Sequence, residues 1–260
     1  MKNSSKLQVA LVQADLVWEA IDLNKKHLEE KINSIQNNVD LIILPELFTT
    51  GFTMNTLLAE TMNGTTISWM QELAKSNNTA ITGSIIIEEN SSFYNRLLFV
   101  HPTGKIDFYD KHHTFTLAKE HKAFNAGKEQ VIIEYKGWKI RPLVCYDLRF
   151  PVWARNTENY DILFYVASWP KTRIAAWDTL LKARAIENMS YTIGVNRVGV
   201  DAKNLEYTGN SACYDSLGNC VTKNNTGEET ILYCTLEKEK QQAIRDKFQF
   251  LEDRDSFIFQ

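Results

Sequence analysis

Cysteine is scarce in this chain: Cys145, Cys213, Cys220 and Cys234 are the four thiols in 260 residues. That is too few for the disulfide framework of a small secreted scaffold, and none falls in the paired CxxC spacing of a zinc site. Charge of one sign is also lacking. Twenty-nine Lys and Arg face 32 Asp and Glu, a net charge of −3, which gives no electrostatic reason to expect nucleic acid or an anionic membrane as partner. No apolar run approaches the roughly 18 residues needed to cross a bilayer, and the apolar start before Gln13 is too short for a secretory leader. With 5 Pro and 11 Gly there is no Pro/Gly/Ser linker, and no repeat of 20–50 residues interrupts the pattern. These absences leave a cytoplasmic globular protein with reduced thiols, expected to be one domain over residues 1–260 with no metal or cofactor.

What is present is an alternation of strands and helices. Short β-branched runs at 7–12 and 41–44 flank Ile21, Leu28, Ile32 and Ile35, whose spacing marks one face of a helix. That is a β–α–β unit. A second helix at 69–75 leads into strands at 79–87, 94–101 and 105–109, joined by turns at 90–92 and 102–104. The second half repeats the theme. Residues 131–135 and 138–145 flank a Lys136-Gly137 hairpin turn, a short helix spans 152–158, and a continuous buried-type strand covers 162–167. A helical stripe runs from Ile174 to Met189. Strands are expected at 191–198, 206–214, 219–222 and 230–235, and a charged helix at 236–248. The fold class is α/β with two similar halves.

Three segments look unlike scaffold. In Leu44-Pro45-Glu46 a buried strand delivers a carboxylate into an apolar loop, either as a general base or turned away into a salt bridge. Lys111-His112-His113 again follows a strand. Lys111 is either a buried cation or an exposed surface lysine, and the adjacent histidines, which point apart on an extended segment, read as a solvated loop pair rather than metal ligands. In the third, the strand ending at Val144 presents Cys145 at a turn before Pro151, a favoured first helical residue. A thiol there is expected to be exposed, with its thiolate favoured by the positive end of the following helix. The other three cysteines lack such surroundings and read as structural.

Glu46, Lys111 and Cys145, each just after a strand, resemble the Glu–Lys–Cys triad of the nitrilase superfamily of carbon–nitrogen hydrolases. LPELFTTGF, YDKHHTF and VCYDLRFPVWAR carry the resemblance, which extends over nearly the whole chain. Within that superfamily, ASWPKTRIAAW and the ARAIEN to GVNRVGVD stretch are most similar to the bacterial omega-amidases. The resemblance implies a four-layer αββα sandwich, usually dimerised through helices, and hydrolysis of the terminal amide of 2-oxo acids such as 2-oxoglutaramate and 2-oxosuccinamate. By the same resemblance Cys145 is the nucleophile, Glu46 its general base, and Lys111 the cation at the oxyanion, helped by the backbone N–H of Tyr146. Glu120 matches the family's additional active-site glutamate.

The substrate's carboxylate calls for an arginine. Arg173 is the candidate and Arg149 the alternative, with Phe115, Trp169 and, less strongly, Phe48 lining the apolar middle of the pocket. A broader aliphatic amidase or nitrilase is the competing reading within this chemistry. A non-catalytic member of the fold is expected to lack part of the triad, and a cysteine protease needs a histidine base that Cys145 does not have nearby.

Overall fold

The computed structural model describes residues 5–36, 38–222 and 227–258. Its first half runs β1 (Lys6–Gln13), α1 (Ile21–Asn33), β2 (Leu41–Ile43), α2 (Thr65–Ser76), β3 (Ala80–Glu89), β4 (Ser92–Val100) and β5 (Ile106–Asp110). The second runs β6 (Ile133–Tyr135), β7 (Trp138–Val144), α3 (Pro151–Ala154), β8 (Ile162–Ala167), α4 (Ile174–Glu187) and β9 (Tyr191–Asn196). Then come β10 (Val198–Val200), β11 (Glu206–Thr208), β12 (Ala212–Tyr214), β13 (Thr230–Glu237) and α5 (Lys238–Phe248).

Two mixed sheets form, ordered β13-β1-β2-β3-β4-β5 and β12-β9-β8-β7-β6. Each has a parallel centre, β1-β2-β3 and β7-β8-β9, extended by antiparallel strands. The parallel strands are connected through helices, as parallel crossovers require. The period of two along a strand then assigns each face. Leu7, Val9 and Leu11 of β1, with Leu97 and Phe99 of β4, join one buried core with the strands of the second sheet. The alternate residues Ala10, Val12, Leu98 and Val100 pack instead with Leu28 and Ile32 of α1 and Met70 and Ala74 of α2. On the other side, Trp177 and Leu181 of α4 press on Gly194 of β9, where an added Cβ would lie 2.4 Å from Leu181 and 2.6 Å from Trp177. The layers are helix, sheet, sheet, helix. The αββα sandwich expected from the resemblance is what the chain adopts.

Two of the three predicted turns form through paired left-handed residues, at Asn90-Ser91 (φ 52° and 59°) and Lys136-Gly137 (φ 49° and 82°), the pairing that matches strand twist. Three expectations need correction. The single strand at 206–214 is two strands, one in a β10–β11 ribbon and one beside β9, because Gly209 and Asn210 both take positive φ. Only glycine fits at 209, since a Cβ would come within 2.1 Å of Gln13. Residues 219–222 make an isolated bridge between Cys220 and Tyr214 rather than a strand. The helix at 152–158 stops after one turn because Arg155 turns extended. Asn156 is then locked to the Tyr160 backbone and to Asn188.

Candidate active site

Three strand ends converge here. After β2, the loop carrying Glu46 is held to β3 by Leu47 N donating to Ser84 Oγ at 2.9 Å and Phe48 N to Ser84 O at 3.1 Å. After β5, Lys111 N donates to Asn95 O on β4 at 3.0 Å, which carries the ladder one residue further. After β7 the backbone turns sharply at Cys145, whose φ of 45° is uncommon and strained for a residue with a side chain. The turn is stabilised by Asp147, which accepts Val144 N at 3.0 Å. Asp147 also accepts Tyr109 Oη at 2.8 Å and His113 N at 2.9 Å, so one buried carboxylate ties the cysteine turn to the lysine segment.

These ends bring Glu46, Lys111, Glu120 and Cys145 together. Lys111 Nζ donates to Glu46 Oε1 at 2.8 Å and to both oxygens of Glu120, at 3.0 and 2.9 Å. The lysine is 1 % exposed and both glutamates 0 %, so these charges sit out of water and need each other. Burial works against the ammonium, but Glu120 and Glu46 outweigh it and drive the Lys111 pKa above its ordinary range. Glu120 is pushed up by burial and by the Glu46 charge, against the pull of Lys111. Glu46 Oε2 accepts Ser168 N at 2.8 Å, and the Glu46 charge bears on the Cys145 thiol. Glu120 Oε2 accepts Phe115 N at 2.5 Å.

The thiol differs from the expectation. Cys145 is buried, not exposed, and burial followed by the Glu46 charge pushes its pKa well above the ordinary value, with Lys111 opposing. The turn after it is a short 3₁₀ segment and α3 has only four residues, too little helix to offset the desolvation of a thiolate. Burial therefore favours the neutral thiol, with the Glu46 carboxylate nearby.

Cys145 lines a cavity of about 410 Å³. Tyr146, Phe115 and Trp169 line it as expected, and so do Arg173 and Arg149. Each guanidinium lies over an aromatic ring, Arg173 5.2 Å from the Phe115 centroid and Arg149 5.0 Å from that of Trp169. Among the described residues neither has a carboxylate partner. Phe48 does not line the cavity. It is fully buried against the α2 side, and Phe52, four residues on, lines it instead. His112 and His113 are half-buried rather than solvated. They stack on Trp153 and Phe150 at 3.7 and 3.5 Å, and His113 Nδ1 pairs with Asp147 at 2.8 Å.

Sequence reasoning missed Asn95, Ser168 and the hub role of Asp147. Asn95 had a signal: it is a polar residue on the face of β4 that otherwise presents Leu97 and Phe99 to the core. Ser168 had none, because it acts through its backbone N–H.

The sequence profile of the carbon–nitrogen hydrolase family matches residues 8–246. The chain is 42% identical to the omega-amidase YafV of Yersinia enterocolitica, over 98% of this chain and 99% of that protein. It is 32% identical to the 2-oxoglutaramate amidase of Bacillus subtilis, over 95% and 97%. Among solved structures, XC1258 of Xanthomonas campestris, a CN-hydrolase superfamily protein, superposes with a TM-score of 0.95. It shares 39% identity and covers 98% of this chain and 99% of its own.

Removing the ammonium leaves two buried carboxylates facing one another. In Lys111→Met one of them must take up a proton to fold, so stability falls as pH rises above the unfolded glutamate value of about 4.3. The variant is expected to lose about 3–5 kcal/mol at pH 8. Urea denaturation at two pH values checks this: the gap to wild type narrows in acid if the ion pairs are as described, and stays constant if they are not.

Proposed function

Since the chain belongs to the carbon–nitrogen hydrolase family, we propose that it is an omega-amidase, hydrolysing the terminal amide of 2-oxo acids such as 2-oxoglutaramate and 2-oxosuccinamate to the dicarboxylate and ammonia. The observation that carries this reading is the cavity itself. It is lined by the Cys145 thiol, on which the buried Glu46 charge bears, and by two guanidiniums over aromatic faces that have no carboxylate partner among the described residues. A small amide with a carboxylate at its far end fits both.

In this mechanism the neutral Cys145 thiol passes its proton to Glu46 as sulfur bonds to the amide carbon. The oxyanion that forms faces Lys111 Nζ and the backbone N–H of Tyr146, the second residue of the 3₁₀ turn, whose N–H lies in the first turn and has no partner within it. Glu46 returns the proton to nitrogen, the C–N bond breaks, ammonia leaves, and a thioester to Cys145 remains. Glu46 then takes a proton from water as the water oxygen attacks the thioester, and the proton restores the thiol as the acid departs. Glu120 acts through Lys111, fixing its ammonium. The substrate carboxylate is assigned to Arg173, with Phe115 and Trp169 along the short carbon chain between the two ends.

We further propose that residues 1–260 form one hydrolase domain acting as a cytoplasmic homodimer. Exposed apolar Val152 on α3, Ile186 on α4 and the neighbouring Leu217 support a helix-mediated contact, and a reactive thiol suits a reducing compartment. Light scattering is expected to give twice the 29.9 kDa chain mass; a single-chain mass contradicts the dimer.

Ammonia release from 2-oxoglutaramate, 2-oxosuccinamate, glutamine and a simple nitrile tests the activity. The two 2-oxo acid amides are expected to dominate; a preference for the nitrile or for an uncharged amide favours the broader amidase or nitrilase. Arg173→Ala is expected to raise KM for 2-oxoglutaramate about 10–100-fold with kcat little changed. An unchanged KM there, with a raised KM in Arg149→Ala, transfers the role to Arg149.

A further inference from the structure

Asn95 belongs to none of the motifs that mark this site, yet its side chain touches two of the site's three charged groups. It is 1 % exposed, on β4, in the space between the sheets. Its Nδ2 donates to Glu46 Oε1 at 2.9 Å and to Glu120 Oε1 at 3.2 Å. Lys111 Nζ donates to the same two oxygens, at 2.8 and 3.0 Å. The two carboxylates are thus bridged twice, once by a cation and once by a neutral amide. Oδ1 of Asn95 is buried and has no partner. Turned the other way, the amide would aim an acceptor at two carboxylates, so the glutamates fix its orientation and Oδ1 is left unsatisfied.

We infer that Asn95 is a positioning residue for the amide hydrolysis: a neutral second bridge that holds Glu46 and Glu120 ionised at a fixed separation around Lys111. The neutrality matters. A second cation would hold the pair as firmly but would make Glu46 a poor acceptor for the Cys145 proton. An apolar residue would leave one ammonium to restrain two carboxylates, and the pair would take up a proton at higher pH. The titratable groups around the amide come from four segments: Glu46 after β2, Lys111 after β5, Glu120 beyond it, and Cys145 after β7, which reaches the cluster through Glu46. The inference rests on Glu46 being the base of the proposed reaction.

The test is kcat and KM for ammonia release from 2-oxoglutaramate as a function of pH, for wild type, Asn95→Ser, Asn95→Asp and Glu46→Gln. Activity falls in acid as the base is protonated, so loss of donors to the ionised pair moves that limb to higher pH. Asn95→Ser is expected to lower kcat about 10–100-fold, to change KM less than about threefold, and to shift the acid limb up by about one pH unit. Asn95→Asp keeps the shape but adds a third acid, and shifts the limb in the same direction by more. If Asn95→Ser does not fold, the nearly isosteric Asn95→Asp is judged by the same criterion. An unmoved limb overturns the inference, as does full activity or a loss confined to KM, which would make Asn95 a pocket-shaping residue only. Glu46→Gln separates the two claims. Turnover retained in that variant removes the base assignment, whereas an inactive Glu46→Gln with an unmoved limb in the Asn95 variants removes the role of Asn95 alone.

Discussion

An ammonium buried between two carboxylates is the interaction on which the rest depends. Lys111 reaches Glu46 and Glu120 at 2.8–3.0 Å with all three side chains out of water. None of these charges is stable there alone, since each ion removed from water costs several kcal/mol. The arrangement is a weak device for stability and a strong one for chemistry. It sets two carboxylates and one ammonium beside the Cys145 thiol, the arrangement on which the proposed reaction relies.

The fold exists to hold that cluster. Glu46, Lys111 and Cys145 stand one to three residues beyond the ends of β2, β5 and β7, two strands from one sheet and one from the other. Their meeting point is therefore set by how the two sheets face each other, and the inter-sheet core fixes that geometry. Asp147 and Ser168 then make the fine adjustment, one binding the cysteine turn to the lysine segment, the other offering its backbone N–H to Glu46. The cavity outside is softer. Its two arginines rest on aromatic faces with no carboxylate partner among the described residues, as the proposed substrate carboxylate requires.

Much of this was legible in the sequence wherever the signal is local. The β–α–β alternation, the hairpin at Lys136-Gly137 and the buried strand over 162–167 follow from periodicity and turn chemistry, and the grouping of Glu46, Lys111 and Cys145 in one place follows from motif resemblance. The misses share a physical cause. Cys145 reads as exposed because burial of a turn depends on what lies across the sheet interface, not on its neighbours in sequence. Phe48 and Phe52 sit in the same loop, with positive φ at Leu47 and Gly51, and one ring enters the core while the other faces the cavity. The break at Gly209 is dictated by Gln13, almost two hundred residues away. Ser168 contributes an atom every residue has, so no sequence pattern marks it.

The central claim is a covalent thioester on Cys145, and mass spectrometry addresses it directly. Wild-type protein mixed with 2-oxoglutaramate and quenched in acid is predicted to carry a transient acyl adduct that maps to the peptide containing Cys145, absent from Cys145→Ala, which releases no ammonia. An adduct on another residue, or ammonia release by Cys145→Ala at the wild-type rate, would contradict the account.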